Sequence, residues 1–249
     1  MLKRFSLFCA FLLTFPAGTS LAERHFTFIY EAPESEPGSF EFEHWVTWKR
    51  TTDPARADRV EFRHEIEYGV TNRLQASLYV ADWFYQSSPA RSGWTYSDAA
   101  IELIYNLTNP VKDPVGISIY QEYKAGYQLF EWESKLIAQK NIGRWILVYN
   151  ATVEAAWEGN DLAEREGELS QALGASYEFS PPISIGLELL HEMVFPDWHD
   201  RETIRNLFIG PNVSYRRGHW SVTASALALA TDTAGEPDLQ IRTIFGLEF

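Results

Sequence analysis

Glutamates spaced two apart on facing segments are the first chemistry this sequence offers. "FEFEHWVTWK" (40–49) and "VEFRHEIEY" (60–68), folded together about the polar stretch 51–58, bring Phe40 opposite Tyr68, Phe42 opposite Ile66, Val46 opposite Phe62 and Trp48 opposite Val60. The other face then sets Glu41 against Glu67, Glu43 against Glu65, Trp45 against Arg63 and Thr47 against Glu61. Like charges directly opposite one another destabilise a sheet, so two acidic rungs need a role. They can attract cations to a wet passage, share protons, or be neutralised across an enclosed space. Lys49, Arg63, Lys124, Lys135 and Arg242 fall on the inward phase and are the expected partners, whether the network conducts or only braces. The same register puts His44 opposite His64 on the apolar face. The opposite phase would send four glutamates there, which is worse than two neutral imidazoles.

Nucleophilic and metal chemistry have thinner support. A Ser nucleophile and a His base must lie within hydrogen-bond reach of each other. Only His219 and Ser221 sit two apart on one strand face, beside the "RRGH" turn, with Asn212 on the neighbouring strand. The polar end of a hairpin is the simpler account of them, and the one preferred. His191 and Glu192 are adjacent and face opposite sides of a strand. Asp197, His199 and Asp200 share a loop that could hold a surface cation, although a solvated loop suffices. The reading assigns no catalytic residue, no metal site and no cofactor.

The elements that position these residues alternate with a period of two. Val60 to Tyr68, Trp145 to Trp157, Ile185 to Leu189, Leu207 to Tyr215 and the terminal "LQIRTIFGLEF" all carry apolar residues at every second position, and no window shows a helical stripe. Twelve strands follow, near 39–50, 59–69, 73–84, 95–107, 115–127, 130–140, 145–158, 167–179, 183–194, 204–215, 219–230 and 238–249. Short connections (69–72, 109–114, 141–144, 180–182, 216–218) alternate with longer polar ones (51–58, 86–93, 158–166, 196–203, 231–237); the join at 126–130 is too short for this scheme. An even strand count with short turns on one side and longer loops on the other predicts an all-β fold, a closed antiparallel transmembrane barrel. Lipid would cover the apolar stripe, and 239–249 would pair antiparallel with 39–50 to close the edge. Trp145 and Trp157 cap one strand's apolar face, and twelve steps of about 3.4 Å tilted by about 40° span on the order of 30 Å, the spacing of two aromatic girdles. Tyr215 and Trp220 flank a short turn and belong to the periplasmic girdle.

The compartment is read from the other end. Lys3 and Arg4, the apolar run from Phe5 to Phe15 and Ser20-Leu21-Ala22 form a secretory leader over 1–22, too short to span a membrane as a helix. Cys9, the only cysteine, lies inside it, so the mature chain can hold neither a disulfide nor a thiolate metal site. Loss of Lys3 and Arg4 takes the formal charge from −13 to −15, which argues against nucleic acid as a partner. A hydrophobic content of 45%, with 15% aromatic, excludes a disordered acidic chain. Residues 23–38 hold a brief alternation (Phe26, Phe28, Tyr30) and then an acidic Pro/Gly stretch; whether they plug the lumen, hang in the periplasm or merely link stays open. The barrel is assigned to 39–249.

"GSFEFEHWVTWK", "EFRHEIEYGVTNRLQASLYV" and the terminal Phe resemble a group of Gram-negative outer-membrane barrels similar to phenol-degradation pathway (MetA-type) proteins, described as transporters or porin-like. The likeness is clearest over 23–85 and carries no catalytic motif. It implies the bacterial outer membrane, contact with lipid and lipopolysaccharide, and passage of a small solute that it does not name. The chain is therefore read as a porin-like channel whose lumen is acidic, through Glu41, Glu43, Glu61, Glu65 and Glu67, and admits cations or neutral molecules. A closed structural or interaction barrel displaying loops is one alternative, and an outer-membrane lipid hydrolase using His219 and Ser221 is another. Phe249, with Leu247 and Phe245, resembles the C-terminal signal read by the barrel-assembly machinery. Phe249→Ala or its deletion should lower the amount of heat-modifiable barrel at the cell surface and leave single-channel conductance of the assembled fraction unchanged. Normal surface levels would remove this role.

Overall fold

Alternating apolar and polar side chains are both satisfied only where the two faces of a strand meet different media. In the computed structural model of the chain, which describes residues 24–33, 36–198 and 203–249, one closed sheet meets that condition. Twelve antiparallel strands follow in chain order: β1 (Phe40–Thr51), β2 (Ala57–Thr71), β3 (Leu74–Ser87), β4 (Ser92–Thr108), β5 (Gly116–Gly126), β6 (Leu129–Ile142), β7 (Trp145–Glu158), β8 (Glu164–Ser180), β9 (Ile183–Phe195), β10 (Ile204–Arg217), β11 (Trp220–Leu229) and β12 (Leu239–Glu248). Each pairs with its sequence neighbours, and β12 returns to β1. Residues 1–22, expected to form a secretory leader, lie outside the described residues.

The outward face is apolar. Leu78, Ile101, Leu173, Ile185, Leu187 and Ile209 on five different strands are 45–58% exposed. Water would oppose such a continuous band at about 25 cal/mol per Å², whereas hydrocarbon accepts it. This is a transmembrane β-barrel. Its strands of 10 to 17 residues are long enough for a tilted crossing. The terminal stripe is paired as its alternation requires: Phe42 faces Leu247, His44 faces Phe245, and the Phe249 N–H donates to the Phe40 carbonyl at 2.8 Å. At 126–130 the expected longer loop is a two-residue turn, Tyr127–Gln128, which Gln128 enables by adopting a φ of 55°.

The first hairpin keeps the register set by its apolar faces, including Glu41 with Glu67, Glu43 with Glu65 and His44 with His64. The two imidazoles sit with ring centroids 4.7 Å apart. A β-bulge relieves this polar pair. Between Phe62 and Glu65 the β2–β3 register shifts by one residue, and the Ala81 carbonyl lies 3.3 Å from His64 Nδ1. In the tautomer protonated at Nδ1, the imidazole donates to it.

Glycine matters most where β10 approaches β11. Pro211 lacks an N–H, and the ladder between these strands is interrupted from Ile209 to Asn212. A Cβ on Gly210 would lie 1.8 Å from the Ala226 carbonyl oxygen, a backbone atom that cannot swing away. Ordinary overpacking costs about 1–3 kcal/mol, so Gly210→Val should exceed that range and markedly lower the temperature at which the barrel loses heat-modifiable mobility. An unchanged transition would show that β11 can yield.

Candidate functional site

The lumen is filled by the chain's own N-terminal segment. Residues 24–33 carry no regular secondary structure and bend at 27–29. Both ends of the segment reach the periplasmic end of the barrel: His25 meets Arg216 beside the β10–β11 turn, and Pro33 meets Asn106 near the end of β4. The Phe26–Phe28–Tyr30 alternation does not form a strand. Phe26, Ile29 and Ala32, three residues apart, make the buried face instead.

Irregular backbone inside a barrel needs polar partners, and wall side chains provide them. Glu188 accepts from the Thr27 N–H at 2.9 Å and the Phe28 N–H at 2.7 Å. Asn150 accepts from the Tyr30 N–H at 2.7 Å and donates to the Tyr30 carbonyl at 2.8 Å. Gln139 accepts from the Ala32 N–H at 2.8 Å. Ser214 and Thr223 donate to the Arg24 carbonyl at 2.7 and 2.6 Å, and Arg242 donates to that of Thr27 at 3.1 Å. Within the segment, Glu31 accepts from the His25 N–H at 2.7 Å and ties the two ends of the bend.

The wall has two faces, and the segment matches both. Ile104, Tyr120, Ile137, Ile146, Val148 and Ala172 form an inward apolar patch from β4 to β8, covered by Phe26, Ile29 and Ala32. Burying Phe26 and Ile29 contributes about 1.5–3 kcal/mol each. Gly174 on β8 makes room: a Cβ there would lie 2.5 Å from the Phe26 ring and 2.8 Å from Ile29 Cδ1. On the acidic side, Arg24 Nη1 lies 2.6 Å from Glu43, and its guanidinium lies 4.4 Å from the Trp45 ring. Burial opposes the charge of Arg24, but the adjacent Glu43 carboxylate, with Glu65 and Glu67 beyond it, holds its pKa well above the ordinary value. Arg24 therefore remains a cation.

Tyr30 sits at the tip of the segment. Its hydroxyl is 3.2 Å from that of Tyr79, its ring meets Tyr120 edge-on at 4.8 Å, and Lys135 Nζ lies 3.9 Å from the ring centre. Burial, followed by the Glu102 charge, pushes its phenol well above the usual range and keeps it neutral. A cavity of about 680 Å³ lies on the periplasmic side, lined by Glu41, Glu43, Glu67 and Glu102. One of about 380 Å³ lies on the extracellular side, lined by Lys49, Glu61, Arg63, Lys124, Lys135 and Arg242 among others. Among the described residues, Tyr30 alone lines both.

Of the inward basic residues, Lys49 meets one of the expected acids, and Arg63, Lys124 and Lys135 meet others. Lys49 pairs with Glu61 at 3.1 Å, Arg63 with Asp82 at 2.7 Å, Lys124 with Glu131 at 2.5 Å and Lys135 with Glu133 at 2.8 Å. Arg242 donates to Thr47 at 2.8 Å. Among the described residues, the ion pairs to Glu43 and Glu67 come instead from Arg24, at 2.6 and 3.9 Å. This corrects the expected neutralisation by Arg63 and the lysines. Strict alternation would turn Asp82 outward; the bulge at Ala81 turns it into the lumen beside Arg63.

A second acidic feature crosses five strands. Glu102, Glu122, Glu133, Glu154 and Glu168 are successive partners in the ladders from β4 to β8. Sequence reasoning stopped at the first hairpin. Folding the β5–β6 and β6–β7 hairpins about their turn centres brings Glu122 to Glu133 and Glu133 to Glu154.

The remaining candidates are separated from one another. His219 is exposed in the β10–β11 turn, whereas Ser221 is buried in the wall and Asn212 donates to Glu188 at 2.9 Å. His199 and Asp200, expected with Asp197 as a surface cation loop, lie outside the described residues. The Trp145 ring lies 5.0 Å from that of Tyr177 and the Trp157 ring 5.6 Å from that of Phe130, both tilted and at opposite ends of β7, and Tyr215 lies 5.4 Å from Trp220.

Solved structures share this architecture at low sequence identity. The COG4313 outer membrane channel from Pseudomonas putida F1 is 12% identical, with a TM-score of 0.70 over 88% of this chain and 98% of that one. The NanC porin is 10% identical, with a TM-score of 0.58 over 84% and 98%. The translocator domain of the autotransporter NalP from Neisseria meningitidis is 11% identical, with a TM-score of 0.54 over 85% and 88%. At such identities the likeness establishes the fold alone. A search of curated proteins gives no match. None of these comparisons carries the phenol-pathway name suggested by the resemblance. One family model does match, over residues 19–235: the chain belongs to DUF6662, a family of unknown function.

Proposed function

We propose that this chain is an outer-membrane, porin-like channel for small solutes, narrowed by its own N-terminal segment and favouring cations or neutral molecules. The observation that carries this reading is the division of the lumen into two cavities, of about 680 and 380 Å³, that are both lined by Tyr30. A polar interior with cavities at both ends suits transit better than a fully packed core does. The channel and porin identities of the similar structures support it. The extracellular cavity is lined by Glu61, Glu122, Glu133, Glu154, Glu168 and Glu192, which would concentrate cations at a narrow entrance. The apolar outer band fits outer-membrane lipid and lipopolysaccharide, and Phe249 fits recognition by the barrel-assembly machinery. The role is non-enzymatic.

The paired charges around Tyr30 favour a second reading, a closed barrel that serves as a structural or interaction module. One experiment separates the two. In planar bilayers under a salt gradient, the native protein should give small conductance events with a reversal potential favouring potassium over chloride. Changing Glu154 and Glu168 to Gln should weaken that preference, and high salt should blunt it by screening. Glu188→Ala removes two charge-assisted bonds, each worth about 1.5–3 kcal/mol, so the open population should rise at least about tenfold. Gly174→Leu should open the lumen in the same way by occupying the seat of Phe26. Anion preference would defeat the proposed selectivity. Silence from well-folded native protein and both opened variants would leave the closed barrel.

A further inference from the structure

Glu65 presents an unsolved electrostatic problem. Its side chain is fully buried, and neither carboxylate oxygen has a hydrogen-bond partner. An ionised carboxylate in that condition costs several kcal/mol unless a positive group meets it. Its nearest acidic neighbours make matters worse. Glu43 faces it across the β1–β2 ladder, Glu67 lies two residues along β2, and one oxygen from each of the three falls within 4.8 Å of the others. Arg24 meets the other two carboxylates, with Nη1 2.6 Å from Glu43 and 3.9 Å from Glu67, and gives Glu65 no hydrogen bond. Glu102 is already bonded to Tyr79 and Ser77. The unpartnered oxygens of Glu65 are thus aimed into a gap bounded by carboxylates.

We propose that Glu43, Glu65 and Glu67 bind one divalent cation of the calcium class. The donor set is all carboxylate, which suits a hard cation and not one that prefers imidazole or thiolate. Calcium takes oxygens at about 2.3–2.6 Å, so two ligands of one ion can stand up to about 5 Å apart. Magnesium, at about 2.0–2.1 Å in a strict octahedron, needs a tighter set. The charge also balances: three carboxylates against the Arg24 guanidinium leave two negative charges, which a divalent ion cancels. Glu43 and Glu67 line the periplasmic cavity, which gives the ion an entry route and water to complete its coordination. Bound there, the ion relieves the two opposed acidic rungs and steadies Glu43, the residue that holds Arg24. The site goes beyond the channel reading, and a barrel that never conducts would still bind the ion.

The test uses the full chain as a folded barrel in detergent, stripped with a chelator. Terbium, a calcium-sized luminescent ion, should give saturable emission sensitised by Trp45, whose Nε1 donates to Glu43 at 2.7 Å. Calcium should displace it at least about tenfold better than magnesium, given the size difference. Loss of even an outer-shell partner costs metal sites about 10–100-fold, so Glu65→Gln should weaken terbium and calcium binding at least about tenfold. Glu158→Gln, an exposed carboxylate at the far end of β7, should leave both unchanged. If Glu65→Gln does not yield a heat-modifiable barrel, Glu67→Gln reads the same loss. Absence of saturable emission from folded native protein, or undiminished affinity in the glutamine variant, would overturn the proposal.

Discussion

Closing a sheet against hydrocarbon forces its polar half inward, and with twelve strands that interior is too narrow to behave as bulk water. This constraint governs the rest of the molecule. Each inward glutamate, lysine or arginine must find an opposite charge, a donor or an ion within a few ångströms, because a solvating shell is only partly available. The close pairs of Lys49 with Glu61, Arg63 with Asp82 and Lys124 with Glu131 are the local answers. The acidic rungs of the first hairpin, Glu41 with Glu67 and Glu43 with Glu65, have no such partner within the hairpin, and Arg24 of the N-terminal segment meets Glu43 there.

That segment shows which forces seat a chain inside a barrel. Apolar burial of Phe26 and Ile29 supplies the favourable term, but an unpaired buried backbone group costs about 1–3 kcal/mol. Four buried N–H groups left bare would cancel the whole apolar gain. Glu188, Asn150 and Gln139 prevent this by accepting from Thr27, Phe28, Tyr30 and Ala32. Polar satisfaction is the condition and apolar contact the driving force. Orientation follows from the two-faced wall, since Arg24 can be satisfied only on the β1–β2 side and Phe26 only against β4 to β8.

The architecture also shows how a bulge changes electrostatics. One extra residue at Ala81 reverses the phase of β3, bringing Asp82 to Arg63 and offering a carbonyl to His64. Without it, one acid and one imidazole would both face lipid without partners. The sheet gives up a rung of its ladder and gains a partner for each of two polar groups.

The strands, their order, the first-hairpin register and the closure of β12 on β1 were legible in the sequence because each is local. Period-two alternation names the faces, and a short turn centres each hairpin. The inward apolar patch was less visible. "WILVY" at 145–149 is apolar throughout, so Ile146 and Val148 gave no alternation, and such a run signals burial on both faces once a filled lumen is considered. The placement of residues 24–33 could not be read at all: their contacts lie up to 215 positions away, with Arg242, and their periodicity fits no regular element. Nor does any pattern reveal that Arg24, and not Arg63, meets Glu43. The sequence by itself determined which side chains face inward, since that depends on the two-residue period of a strand. Only the tertiary structure decided which inward charges meet, since that depends on bulges, ladder offsets and a segment crossing the lumen, none of which leaves a local signature.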